Sequence, residues 1–125
     1  MGRDSPSKPS IVIAMSPSMN QSLIQEVLFG IEEEGIPFTI EFDSKGEARE
    51  LAFQAARQSK LNVGIGFFED CIVLHQRNMP ENLFIYRIQN VKQVTREALR
   101  TFGINSARVV KSIPFRISQE LEVLD

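Results

Sequence analysis

Gly30-Ile31-Glu32-Glu33-Glu34-Gly35-Ile36-Pro37-Phe38 is the stretch in which a helix has to stop and a strand has to start. Gly35 can take the left-handed conformation that closes a helix, and Pro37 forbids its continuation. Before it, Leu23, Ile24, Val27, Leu28 and Ile31 recur at helical spacing. They predict a helix from about Asn20 or Gln21 to Glu34 with one apolar stripe. Earlier still, Ile11-Val12-Ile13-Ala14 is a continuous apolar run, the pattern of a strand covered on both faces, and Ser16-Pro17-Ser18 breaks it. After it, Phe38-Thr39-Ile40-Glu41-Phe42 is rich in β-branched and aromatic residues and reads as a second strand. Strand, helix and strand in this order predict a parallel β-α-β unit.

The same reading extends outward. Asp43-Ser44-Lys45-Gly46 is a turn, and Glu47 to Ser59 is a second helix with a small buried stripe of Ala48, Leu51, Ala52 and Ala55. Such a stripe lets a helix lie close to a sheet. Asn62 to Phe68 is a third strand containing Gly64 and Gly66, and Glu69-Asp70 reverses it into a fourth, Cys71 to His75. Leu83 to Ile88 is a fifth strand. A third helix is expected from Val94 to Phe102, ended by Gly103. A short last helix, capped by Asn105, should run through Lys111 and be closed by Pro114. The hairpin makes the sheet mixed rather than wholly parallel.

The chain has 125 residues, enough for one domain with its own core. Residues 1–10 read as a flexible polar arm, 11–116 as the domain and 117–125 as an acidic tail. With 42% hydrophobic and 24% charged residues the composition is ordinary for a globular protein. A net charge of -2 gives no general attraction to nucleic acid or an anionic membrane. No apolar run reaches the roughly 18 residues of a membrane span. The single cysteine, Cys71, forbids an internal disulfide, suits a reducing cytoplasm and reads as a small buried hydrophobe.

Little in the chain suggests catalysis. Gly64-x-Gly66 lies inside a strand and is followed by Phe67-Phe68 rather than a helix, so it is no phosphate loop. His75 has no second His or Cys near it and reads as a satisfied strand-end histidine, not a zinc ligand. One His and one Cys support no catalytic constellation.

The end of the first helix is less ordinary. Glu32, Glu33 and Glu34 crowd the terminus that already carries partial negative charge, where acids are unfavourable. Something outside the helix, a cation or a partner, is expected to compensate. At 100° per residue Glu33 points away from the core, with Phe29 one turn before it and Ser22 and Glu26 on the same side. One reading is a solvated face with a stray aromatic. The other is a docking surface, Phe29 as apolar anchor and Glu33 as ligand for a shared cation or basic group. Arg108 and Lys111 offer a second candidate, or simply cations suited to a helix C-terminus.

These residues carry a resemblance. Gly30 to Phe38 resembles the hallmark segment of the small subunit of diol/glycerol dehydratase reactivating factors. Ala52-Phe53-Gln54-Ala55-Ala56-Arg57-Gln58-Ser59 with Leu61-Asn62-Val63-Gly64-Ile65 is similar to that family's second helix and third strand. Asn105-Ser106-Ala107-Arg108-Val109-Val110-Lys111-Ser112-Ile113-Pro114-Phe115 is similar to its C-terminal signature. The likeness spans residues 11 to 116. Met15 to Met19 and Ser112 depart from the usual pattern.

The resemblance implies a three-layer α/β/α sandwich with a mixed five-stranded sheet, strand four antiparallel, similar to the medium (β) subunit of adenosylcobalamin-dependent dehydratases. It implies a non-catalytic, chaperone-like subunit. Its partner would be a large subunit of actin-like ATPase fold that holds ATP or ADP. Together they would release damaged cobalamin from diol/glycerol dehydratase by subunit exchange. It further implies magnesium at the interface of the two subunits, with Glu33 as this chain's ligand and no cofactor held by this chain alone. Phe29, Glu33, Arg108 and Lys111 are the expected partner-binding residues. A cytoplasmic place, with association to a bacterial microcompartment, follows from the same resemblance. An exposed partner surface could also drive self-association of the isolated chain. Two alternatives stand beside this: a medium-type subunit of a B12-dependent dehydratase, and a free-standing small-molecule-binding α/β domain. The second needs a polar pocket at the strand C-termini, where the sequence offers Ser16, Asp43 and Phe68.

Overall fold

The central strands are buried on both faces, and their residues enter two different core clusters in alternation, which fixes three layers. In β1 (Ile11–Met15), Ile11, Ile13 and Met15 enter one core cluster while Val12 and Ala14 enter another. In β3 (Val63–Phe68), Val63, Ile65 and Phe67 join the first cluster, and Gly64 and Gly66 turn the other way. The computed structural model describes residues 9–17, 21–42, 46–112 and 122–123. In chain order the remaining elements are α1 (Gln21–Glu33), β2 (Phe38–Phe42), α2 (Ala48–Gln58), β4 (Cys71–Gln76), β5 (Tyr86–Ile88), a 3-10 turn (Val91–Gln93), α3 (Arg96–Lys111) and β6 (Glu122–Val123).

The sheet order is β2-β1-β3-β4-β5-β6. β1 pairs parallel with β2 and β3, whereas β4 is antiparallel to β3 and β5 to β4. The five expected strands are therefore present, with the fourth reversed. A two-residue pairing of β6 with β5 extends that edge (Tyr86 beside Val123), so part of the expected tail belongs to the sheet. The expected arm before Pro9, the turn residues 43–45 and Pro114 lie outside the described residues.

The two helical layers are built differently. On one face, α1 and α3 cover the large aliphatic cluster through Ile24, Val27, Leu28, Ile31, Leu99 and Phe102. On the other, α2 lies directly on β3. A β-carbon on Gly64 would collide with the backbone of Ala56 and Ala52, and one on Gly66 with that of Ala48 and Ala52. The small stripe and the strand glycines thus fit each other.

Several expectations change. Gly103 does not end a helix: α3 runs unbroken from Arg96 to Lys111, started by Thr95, whose Oγ1 accepts the Ala98 N–H at 3.1 Å. Gly103 is there because a side chain would strike the Val27 backbone of α1. Asn105 is consequently fully buried inside α3, not a cap. β5 is shorter than expected, beginning at Tyr86. Cys71 is only half-buried, packed at the edge of a small cluster with Ala48, Ala52 and Phe84. His75 is fully buried, with Nδ1 2.9 Å from the Gln76 carbonyl oxygen and Nε2 3.1 Å from that of Pro80. It belongs to the β4–β5 connection, in keeping with a structural histidine.

Candidate functional site

The end of α1 closes as the sequence requires. Gly35 has φ +75°, its N–H donates to Glu32 O at 2.9 Å, and the Ile36 N–H donates to Ile31 O at 3.4 Å. This is a Schellman closure, with Glu33 as the last helical residue and Glu34 at the cap. Ile11 N–H then donates to Pro37 O at 3.0 Å, which starts β2 alongside β1. The terminus therefore sits at the end of the sheet where the parallel strands begin. Small-molecule crevices in open α/β sheets lie at the opposite end, beyond the strand C-termini.

α1 and α3 run parallel, so their C-termini lie together. Val27 meets Gly103, and a β-carbon on Gly30 would strike Arg100 O and stand 2.8 Å from Ile104 N. This close approach brings the cations of α3 against the acids of α1. Lys111 Nζ lies 2.8 Å from Glu34 Oε1 and also donates to the Glu34 carbonyl oxygen at 3.0 Å. Arg108 Nε is 3.5 Å from the same carboxylate. Lys111 chiefly, with Arg108 behind it, holds the Glu34 carboxyl below its ordinary value of 4.5, against an upward push from burial. Glu34 is correspondingly secluded, its side chain 14% exposed.

Glu33 is different. Its side chain is 45% exposed, and Oε2 accepts one bond from Arg100 Nη1 at 3.3 Å. Arg100 holds Glu26 more closely, Nε and Nη2 both reaching Glu26 Oε1 at 3.2 and 3.0 Å. The Arg100 guanidinium also stands 5.6 Å from the Phe29 ring centroid. Phe29 is 42% exposed, one of two large exposed hydrophobics among the described residues, the other being Phe42.

The helical wheel placed Phe29 and Glu33 correctly on an outward face. Compensation of the acids does not wait for an outside group, however: α3 supplies it for Glu33 and Glu34. Arg108 and Lys111 are brought to Glu34 rather than to Glu33. Sequence reasoning missed Arg100 and the role of Glu26. No local signal pairs them: Arg100 reaches Glu26 and Glu33 only because α3 packs on α1.

Glu33 suits a hard cation as one oxygen ligand on a rim. It cannot form a cage, since among the described residues no group of three or more His, Cys, Asp or Glu could hold a metal ion. At the other end of the sheet a cleft of about 640 Å³ opens beside Phe68, between α2 and β5. Its charges are mixed, Arg49 and Arg87 against Glu47, Glu69 and Asp70, with no single sign for a ligand to match. Asp43 lies outside the described residues. None of the described helices is long and apolar enough to cross a membrane.

Comparison with known proteins agrees with the architecture. The family model described as "Dehydratase medium subunit" matches residues 8–116. The diol dehydratase-reactivating factor small subunit of Klebsiella michiganensis is 42% identical over 110 residues, 88% of this chain and 86% of that protein. The propanediol dehydratase-reactivating factor small subunit of Salmonella typhimurium is 42% identical over 88% of this chain and 92% of its own length. A chain in the structure of diol dehydratase-reactivating factor complexed with ADP and Mg2+ superimposes with a TM-score of 0.82. It is 41% identical, with 89% of this chain and 100% of that chain covered. A glycerol dehydratase reactivase chain gives the same TM-score at 30% identity, covering 88% of this chain and 98% of its own. The chain belongs to the dehydratase medium subunit family, alongside the small subunits of dehydratase-reactivating factors.

Proposed function

We propose that this chain is the accessory small subunit of a factor that reactivates a diol or glycerol dehydratase, and that it works through protein contacts rather than catalysis. The observation that carries this is the likeness, over 89% of this chain and all of the other, to a chain in the structure of a reactivating factor. The partner is a large subunit of actin-like fold, which carries the ATP or ADP. The dehydratase is the client. Damaged cobalamin leaves when this chain exchanges with the medium subunit of the dehydratase, whose fold it shares. The site of action is the cytoplasm, at a bacterial microcompartment.

The rim formed by Phe29 and Glu33 is the proposed face toward the large subunit. Glu33 supplies one carboxylate oxygen to a magnesium ion whose other ligands come from the partner. Phe29 supplies apolar area beside it. Arg108 and Lys111 join the partner surface by fixing the end of α1 through Glu34. The bound ion would tie Glu33 to the partner's ligands and fix the register of the two subunits.

Co-purification with a tagged reactivating-factor large subunit, with and without magnesium and ADP, tests the reading. A stoichiometric complex that reactivates glycerol-inactivated dehydratase is expected. No complex under any nucleotide condition, with the large subunit shown to be folded, would overturn it. The matching family model bears the name of the dehydratase medium subunit, so the second reading is a subunit of the dehydratase itself. That reading requires assembly with dehydratase large and small subunits into an active enzyme.

A further inference from the structure

We propose that Arg100 is a competitor built into the Glu33 rim: it occupies Glu33 in the unpartnered chain and sets how much divalent cation is needed to claim that carboxylate. The inference rests on Glu33 as the ligand proposed above, and concerns how that ligand is regulated.

The contacts of Arg100 are unequal. Two of its nitrogens converge on Glu26 Oε1, at 3.2 and 3.0 Å, and Glu26 is a shielded partner with 18% of its side chain exposed. Its guanidinium also stands near the Phe29 ring. The bond to Glu33 is single, longer at 3.3 Å, and made to a side chain 45% exposed. Solvent-exposed pairs of this kind are weak, while a forked contact on a shielded carboxylate is firmer. Glu33 can therefore rotate away while Arg100 stays on Glu26. Its positive charge then remains beside the departing carboxylate and opposes an arriving cation. Glu26 moderates that opposition by neutralising the guanidinium. Glu26, Arg100 and Glu33 thus form a graded series: anchor, competitor and ligand.

Two substitutions should act with opposite sign. Arg100→Gln removes the competitor and should lower the magnesium concentration for half-maximal association with the large subunit, by roughly three- to fivefold. Glu26→Gln removes the anchor and leaves Arg100 to Glu33 alone, so the requirement should rise by a similar factor. Arg100→Lys keeps the charge without the fork and should shift the requirement less than Arg100→Gln. A merely structural role would move Arg100→Gln and Glu26→Gln in the same direction, because both break the same pair.

The experiment titrates magnesium into the full chain and the large subunit and reads association directly, with thermal unfolding of each variant alongside. Glu33→Gln is the control and should abolish the magnesium dependence. If it does not, the Glu33 reading falls and this inference with it. If Glu33→Gln abolishes the dependence while Arg100→Gln and Glu26→Gln leave it unshifted, or shift it together, the competitor role alone is overturned.

Discussion

The two faces of the sheet solve the same burial problem with opposite means. On the α2 face, backbone meets backbone: Gly64 and Gly66 admit Ala48, Ala52 and Ala56 with no room for another atom. On the α1/α3 face, large aliphatic side chains fill the space, and the rim of the layer is left to charged pairs. A face fixed by sterics has no freedom to vary, whereas an exposed ion pair such as Arg100–Glu33 can exchange its partner. The second face is where the proposed docking residues lie.

The contrast can be broken most forcefully at Gly64. Gly64→Val should lose about 3 kcal/mol or fail to fold, since the backbone of α2 cannot yield as a side chain could; chemical denaturation measures it. A loss under 1 kcal/mol would mean α2 is not seated as closely as described. Gly35→Ala offers a sharper comparison. It meets no neighbouring atom within 4 Å, so its cost is that of the left-handed backbone alone, about 1 kcal/mol.

On the charged rim the effects should be smaller and dependent on pH. Lys111→Met should cost about 0.5–1 kcal/mol by loosening Glu34 and its carbonyl. The Glu34 carboxyl is held below its ordinary 4.5 in the folded chain. Its contribution is therefore present above pH 4.5 and disappears as pH falls through the lower folded value. Acid unfolding of the Lys111→Met variant should be flatter across that window than that of the unmodified chain; identical curves would contradict the assignment. Smallest of all, Phe29→Ser should leave stability within about 0.5 kcal/mol. It should nevertheless weaken association with the large subunit, measured by co-purification or calorimetry. If association is unchanged, the exposed ring is an ordinary surface aromatic.

Much of this architecture was legible in local patterns, because local rules decide it. The apolar run Ile11–Ala14, the stripe from Leu23 to Ile31 and the Gly35–Pro37 stop each specify one element with no knowledge of the rest. Gly103 misled because a glycine admits two readings, a helix stop or a close approach, and only the position of Val27 on another helix separates them. The pairing of residues 122–123 with β5 is equally nonlocal. At the rim, the outward phase of Phe29 and Glu33 follows from helical periodicity. Their counter-ions do not. Lys111 lies 77 residues from Glu34 in sequence, and Arg100 67 from Glu33, so the pairs exist only once α1 and α3 share a face.

The crossing at Gly30 and Gly103 has a mechanical consequence. Where two helices touch through side chains, a tangential force can be absorbed as rotamers adjust and one helix slides on the other. Here the contact is backbone to backbone, and no soft layer intervenes. Glu33 stands less than one helical turn beyond that pivot, so the lever arm is short. A pull applied there would therefore tend to move α1 and α3 together rather than slide one along the other. In the subunit exchange proposed above, such stiffness would let the handle move the body without deforming it.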